Sequence, residues 1–523
     1  MGVVAFRVDG HDVEVPDDGA SLLEVLRDRL GLRSPKDGCS PQGQCGCCTV
    51  LVDGQPRVAC VTPARRVAGR SVTTLDGLPD DVRDWWVDAF VATGASQCGF
   101  CTPGILVRLA SLPETDVTPE RVENALLAHL CRCTGWRTIL DAAERAQRFG
   151  RAHAGIPAPT RPKAEQRATI EGGTPQRVGR DVVLGHGGFA DDTAPLDALV
   201  AVLGADGEWH VAETLVEARR LAGKVQGRRT TIDISHPLDV PPGDWERTLR
   251  TTWVEPAYLE PDASWCVPGG EPATPLANGG AFGGKLLSIA SRAARKLADE
   301  HGRAVRVLLA REDVVRLGPK RPPIAAGIRA DGTGVVRAVR TPGIADAIRS
   351  CAPSLVVEEV DVAGPPTSAS VRAAGWAEAA VLCGRDGAAV DAPNGARASA
   401  RVAADGSIDV DVACGEVLDE VVLRSYCIGA AHQALGWVTS EAIAVDGDGV
   451  PHDLTIRSFG VLRAKDMPEV RVTIDVADSR PPVNGSDAVF AAVAGAVWRH
   501  LGHPQDWPAG RIDSIDSIEK GSA

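Results

Sequence analysis

The chain has 523 residues, 44% hydrophobic and 24% charged, with a formal charge of −13. This apolar mass excludes disorder throughout, and at roughly 100–200 residues per domain three to four domains are expected. The acidic balance argues against a nucleic-acid partner, which needs clustered Lys and Arg. The apolar run around Val489–Trp498 is half of the roughly 20 residues that a membrane span requires, so no membrane span is expected. The first residues lack a basic stretch followed by a long apolar one, so a cytoplasmic protein is expected. Nine of the 14 cysteines lie between Cys39 and Cys133. In a cytosolic protein such clustering points to metal or redox chemistry rather than disulfides. Cys266, Cys351, Cys383, Cys414 and Cys427 are scattered singly and read as small buried hydrophobes.

In chain order, Val3–Val8 alternates as a strand, Asp9-Gly10 turns, and Asp12–Val15 returns. A helix begins near Ser21 or Asp18, with leucines spaced for one buried face. Cys48–Val52, the turn Asp53-Gly54 and Arg57–Val61 form a second hairpin. Two hairpins and one helix predict a β-grasp over residues 1–78. Residues 79–150 read as a compact bundle of four short helices. Thr102-Pro103 and Thr118-Pro119 are the start signals of two of them, and a third helix runs from about Thr138 to Phe149. Residues 151–177, rich in Pro, Ala and Gly, read as a linker. From 178 to 523 the pattern is α/β, with strands at Val305–Leu309 and Ile408–Val412 and a helix at Leu286–Asp299.

Cys39, Cys45, Cys47 and Cys48 lie in a glycine-rich loop entering a strand, and Cys60 follows on the return strand. Plant-type [2Fe–2S] loops space their ligands C-x4-C-x2-C with a remote fourth cysteine. Here five residues separate Cys39 from Cys45, and two separate Cys45 from Cys48. Two irons need four thiolates from one short segment, and glycines let the backbone wrap closely. A zinc knuckle is the competing reading. The third ligand is Cys47 or Cys48, with the two-residue spacing favouring Cys48. A second set, Cys98, Cys101, Cys131 and Cys133, sits in pairs at helix ends, where a helix N-terminus stabilises thiolates. Taken alone, CxxC…CxC fits zinc nearly as well as iron–sulfur.

Together, the segments GC…CGCCTVLVDG and QCGFCTPG…CRCTGW resemble the iron–sulfur subunit of the molybdenum hydroxylase family, which includes xanthine dehydrogenase, aldehyde oxidase and carbon monoxide dehydrogenase. The resemblance covers residues 1 to about 149. It implies two [2Fe–2S] clusters, one in a ferredoxin-like domain and one in a four-helix domain. The ligands it implies are Cys39, Cys45, Cys48 and Cys60, then Cys98, Cys101, Cys131 and Cys133. It also implies that the face carrying Gln97, Gly99 and Cys133 approaches a molybdopterin, while the other cluster passes electrons toward flavin. Past the linker, Glu255–Pro261, Asn278–Lys285 and Arg311–Asp313 resemble pieces of the family's molybdopterin-binding subunit, implying cofactor contacts at Gly279, Gly280, Phe282 and Gly283. Arg372 could match the family's arginine after its PPT motif, or be a surface arginine.

The fold class expected is therefore multidomain α+β: a β-grasp domain, a four-helix domain, and an α/β region resembling a shortened molybdopterin-binding subunit. That last region is about half the expected size, and the resemblance jumps a large internal piece between Val412 and Leu423. Where the family has its catalytic glutamate, this chain has Asp487, read as a turn or helix-cap aspartate rather than a base. The function expected is an iron–sulfur electron-transfer subunit. Its molybdopterin would lie on a separate full-length partner subunit, with a flavin subunit as a further partner. A self-contained hydroxylase with Asp487 as base, and a redox sensor or assembly protein, are the alternatives.

Overall fold

The computed structural model describes residues 2–151, 161–223, 232–276, 280–385 and 387–510. The first five strands are β1 (Val3–Val8), β2 (His11–Pro16), β3 (Thr49–Val52), β4 (Gln55–Val58) and β5 (Ser71–Thr73). They form one sheet in the order β2-β1-β5-β3-β4, with β1 and β5 parallel. Asp9, Gly10, Asp53 and Gly54 all have positive φ, as two-residue hairpin turns matched to strand twist require. Ser21 Oγ accepts the N–H of Glu24 at 3.2 Å and caps the helix Leu22–Glu24, which buries Leu22 and Leu23. These elements give the expected β-grasp.

Four helices follow, Asp80–Thr93, Thr102–Ala110, Pro119–Ala125 and Arg137–Phe149. Thr118 caps the third by accepting from the Arg121 N–H at 3.3 Å. The second starts one residue earlier than Thr102-Pro103 predicts. Cys101 is already in the helical region, and the Thr102 hydroxyl turns to Ser96 Oγ at 3.0 Å instead of capping.

The segment 151–177 is not a simple linker. It carries the helix Ala164–Gly172, whose Arg167 and Glu171 are buried. The Arg167 guanidinium donates to the carbonyls of Glu416 (2.6 Å), Val417 (3.1 Å) and Val483 (2.9 Å). It thereby closes the stretch between Val412 and Leu423, where the resemblance jumps. Glu171 accepts the N–H groups of Gly485 (3.1 Å) and Ser486 (2.9 Å), at the start of the helix Ser486–His500. Donors at a helix N-terminus have no intrahelical partners, so this carboxylate satisfies them from outside.

The C-terminal region contains three four-stranded sheets. Ala290–His301 forms a helix, starting later than predicted. Two long helices, Glu420–Thr439 and Ser486–His500, pack together, with Trp437 stacked on Phe490 at 5.2 Å. No helix among the described residues is long and apolar enough to cross a membrane.

One continuous core joins the N-terminal domains to this region. Buried ions align the parts. Arg27 pairs with Asp191 (2.5 Å) and Asp192 (2.9 Å), Lys36 with Asp192, and Arg306 with Asp28 (2.8 Å). Arg132, between two of the cysteines, grips both oxygens of Glu441 and donates to the Pro256 carbonyl at 2.9 Å. Such a pair adds little net stability over an apolar pair, but removing one partner strands the other charge. Arg132→Ala is therefore expected to cost about 3–5 kcal/mol, read from urea unfolding. A change below about 1 kcal/mol would mean that Glu441 is not isolated from water.

Candidate iron–sulfur centres and the adjoining cleft

In the first cysteine group Cys39, Cys45, Cys47, Cys48 and Cys60 are all buried. The loop carries its extra residue with Ser40 and Gly43 both at positive φ. Cys39 meets the thiols of Cys45 and Cys60, Cys60 also meets Cys48, and Cys47 meets Cys45. Cys39 is held well below the ordinary thiol range, first by the Cys45 and Cys60 thiols. The N–H groups of Gln42 (3.2 Å) and Gln44 (3.4 Å) also donate to its sulfur, and that of Cys60 to Cys48 Sγ at 3.4 Å. Gly38 has no room for a side chain, since a Cβ would lie 2.9 Å from Cys45 Sγ and 3.0 Å from Cys47 Sγ.

In the second group Cys98 and Cys133 have their sulfurs 3.6 Å apart, and Cys101 meets Cys131. Cys101 is the N-cap residue of the nine-residue helix Thr102–Ala110 without a side-chain cap hydrogen bond, and the Cys131 thiol and burial raise its own thiol well above the ordinary range. The group is thus two pairs of thiols. Among the described residues no three His, Cys, Asp or Glu side chains converge as a single-ion site. A two-iron cluster, in contrast, takes one pair of thiolates on each iron.

The second group is roofed by the C-terminal region. A Cβ on Gly280 would lie 3.1 Å from Cys133 Sγ and 3.2 Å from Cys98 Sγ. Gly279 lies outside the described residues. Gln97 Nε2 donates to the carbonyl of Cys133 (2.9 Å) and to the carbonyl and hydroxyl of Ser425 (both 3.0 Å). Gly429 packs against the Cys133 carbonyl, and Gly99 against that of Val182. The face of Gln97, Gly99 and Cys133, expected to meet a partner, is therefore covered by this chain's own helix Glu420–Thr439 and by Val182. No local feature of QCGFCTPG signals that cover, because its partners lie more than 300 residues away for Gln97.

Beside Gly280 opens a cleft of about 180 Å³, lined by Phe282, Gly283, Arg372 and Asp487 among others. Arg372 is buried, not a surface arginine. Its guanidinium lies 4.4 Å from the Phe282 ring centre, and its Nε donates to Asp487 at 3.1 Å. Its Nη1 and Nη2 are buried without a hydrogen-bond partner among the described residues. Asp487 sits in the first turn of Ser486–His500, its N–H donating to Asn484 Oδ1 at 3.0 Å. Burial raises its carboxyl above the ordinary range, against the pull of Arg372. The two Nη groups, left over beside the Nε–Asp487 pair, suit an anionic group. The cleft, however, is smaller than the roughly 300–1,000 Å³ of ordinary ligand pockets. Sequence reasoning missed Arg167, Glu171 and Glu441, though the i, i+4 spacing of Arg167 and Glu171 was a usable helix signal.

Two family models match this geometry. A 2Fe-2S iron-sulfur cluster binding domain covers residues 6–68, and a [2Fe-2S] binding domain covers residues 74–144. The small FeS subunit of nicotinate dehydrogenase from Eubacterium barkeri is 37% identical over 135 residues, a match covering 25% of this chain and 85% of that one. The chain belongs to the molybdenum hydroxylase family. Aldehyde oxidoreductase from Megalodesulfovibrio gigas is 43% identical over 133 residues, spanning 24% of this chain but only 14% of that protein. The solved aldehyde oxidoreductase of Desulfovibrio gigas superposes with a TM-score of 0.71 at 14% identity, covering 99% of this chain and 100% of that one. The α+β multidomain architecture is thus that of this family, and the chain carries two [2Fe–2S]-binding domains with an electron-transfer role in an oxidoreductase.

Proposed function

We propose that this chain is the two-cluster electron relay of a molybdenum hydroxylase complex. Cys39, Cys45, Cys48 and Cys60 hold one [2Fe–2S] cluster, and Cys98, Cys101, Cys131 and Cys133 hold the other, with Cys47 a bystander. The observation that carries this reading is the gathering of buried sulfurs in two separate groups, one beside Gly280 and one in the glycine-rich cysteine loop with Cys60. When bound, the clusters supply reversible one-electron chemistry. The chain's own residues contribute the thiolates, the N–H donors of Gln42 and Gln44, and the cover that keeps water from Cys98 and Cys133.

In this reading the molybdopterin lies on a separate subunit, and a flavin subunit or another acceptor receives the electrons. Because Gln97, Gly99 and Cys133 are covered from within, the donor approaches through the cleft beside Gly280 rather than against that face. A second reading, a self-contained hydroxylase, draws support from the unpaired Nη groups of Arg372 in that cleft. The reduced chain is expected to give two distinct electron paramagnetic resonance signals, and to co-purify with a molybdopterin subunit from its native host. Recovery of the chain alone, with clusters intact, counts against the complex.

A further inference from the structure

Arg132 lies between Cys131 and Cys133 in the chain and is 5% exposed. Its backbone and its side chain are both fixed. The carbonyl accepts Gln433 Nε2 at 3.2 Å, and Nε donates to the Pro256 carbonyl at 2.9 Å. Nη1 and Nη2 each take one oxygen of Glu441, Nη2 at 2.8 Å. Glu441 is 1% exposed, and its carboxylate fits against the helix Glu420–Thr439 because residue 436 is glycine, where a Cβ would lie 2.3 Å from Oε1. Arg132, Glu255, Arg321, Arg372 and Glu441 line one small cavity. The other charges there have partners of their own, Glu255 in Lys320 (2.8 Å), Arg321 in Glu378 (2.7 Å) and Arg372 in Asp487 (3.1 Å). Glu441 is thus the carboxylate that cancels Arg132.

Charge carries far in this part of the molecule. Gly280 and Gly429 close in on Cys98 and Cys133, so little water is left to screen it. Burial first, and then the charge of Arg132, push the His432 imidazole down to about 4. A buried ion pair adds little net stability over an apolar pair, so stability alone does not call for one beside the cysteines. We propose that Glu441 is a positioning residue for electron transfer, which holds down the reduction potential of the cluster on Cys98, Cys101, Cys131 and Cys133 by cancelling Arg132. Reduction adds one electron to that cluster, with no bond formed or broken and no proton required. A positive charge left uncancelled beside it favours the reduced form, and a lone negative charge favours the oxidised form. With the pair intact, the second cluster releases its electron to the first instead of retaining it. The inference rests on the two-cluster reading above and adds what sets the potential of the second cluster.

The test is a redox titration of the full cluster-loaded chain, followed by electron paramagnetic resonance. The signal of the second cluster is the one that Cys48→Ser leaves. Glu441→Gln keeps the shape of the side chain and removes its charge, and the potential of the second cluster rises. Arg132→Gln strands Glu441, and the potential falls. Each single exchange changes the ratio of reduced to oxidised second cluster at a fixed potential about tenfold, or about 59 mV for one electron. Both exchanges together bring it back near the native value, and the first cluster stays where it was throughout. A pair that is only structural does not give shifts of opposite sign. Shifts of the same sign, or none with both signals present, overturn the role of Glu441 alone. If one single exchange fails to load the second cluster, the sign of the shift in the other decides. Loss of the second signal in both single exchanges and in the double overturns the proposal in favour of a purely structural pair. Absence of either signal in the native chain overturns the two-cluster reading and this inference with it.

Discussion

Cys48→Ser is expected to abolish one of the two electron paramagnetic resonance signals of the reduced chain, and Cys47→Ser to leave both. The two residues are neighbours and equally buried, so burial does not separate them. Their sulfur contacts do. Cys48 meets Cys60, which meets Cys39, and its sulfur accepts the Cys60 N–H at 3.4 Å. Cys47 meets Cys45, and its thiol points at the Cys45 carbonyl at 3.9 Å. A thiolate ligand lost to serine leaves an iron short of one soft donor, and the cluster potential and stability depend on that set. Cys47→Ser instead replaces a buried thiol with a hydroxyl, a change within about 1–3 kcal/mol of stability. If the serine at 47 removed a signal and the serine at 48 did not, the third ligand would be Cys47.

The chain alone is expected to show no turnover of aldehydes, purines or carbon monoxide, and Asp487→Ala is expected to change nothing in that assay. A positioned general base contributes about 10²–10⁴-fold in rate and must reach its proton at about 2.6–3.2 Å. Asp487 is one methylene shorter than the glutamate that the family resemblance implies, and its carboxylate is held by Arg372 at 3.1 Å. The cleft above it is about 180 Å³. Between Val412 and Leu423, where the family resemblance jumps, Arg167 donates to the carbonyls of Glu416 and Val417. Steady turnover that disappears in Asp487→Ala would promote the self-contained hydroxylase.

What can be read from the amino-acid order is what is local in it. The hairpins at Asp9-Gly10 and Asp53-Gly54 and the cysteine groups each depend on residues within a few positions of one another, and all are legible. The cap at Thr118 is legible for the same reason, whereas Thr102 misleads because Cys101 enters the helix first. The linker reading fails because Arg167 finds its buried partners in carbonyls some 250–316 residues away. Its proline- and glycine-rich flanks give no hint of them. Arg372 reads equally as surface or site in the sequence because its environment, Phe282 and Asp487, is likewise assembled from distant parts of the chain. The cover over Gln97 is unreadable for the same reason, and it changes where a donor can approach.

The central claim is that this chain carries two clusters and no working molybdenum site of its own. Quantifying iron, acid-labile sulfide and molybdenum on the purified chain tests it most directly. The account predicts about four irons and four sulfides per chain, as two [2Fe–2S] clusters require, with molybdenum well below one. Stoichiometric molybdenum, with the clusters bleaching when substrate is added to the chain alone, would contradict it.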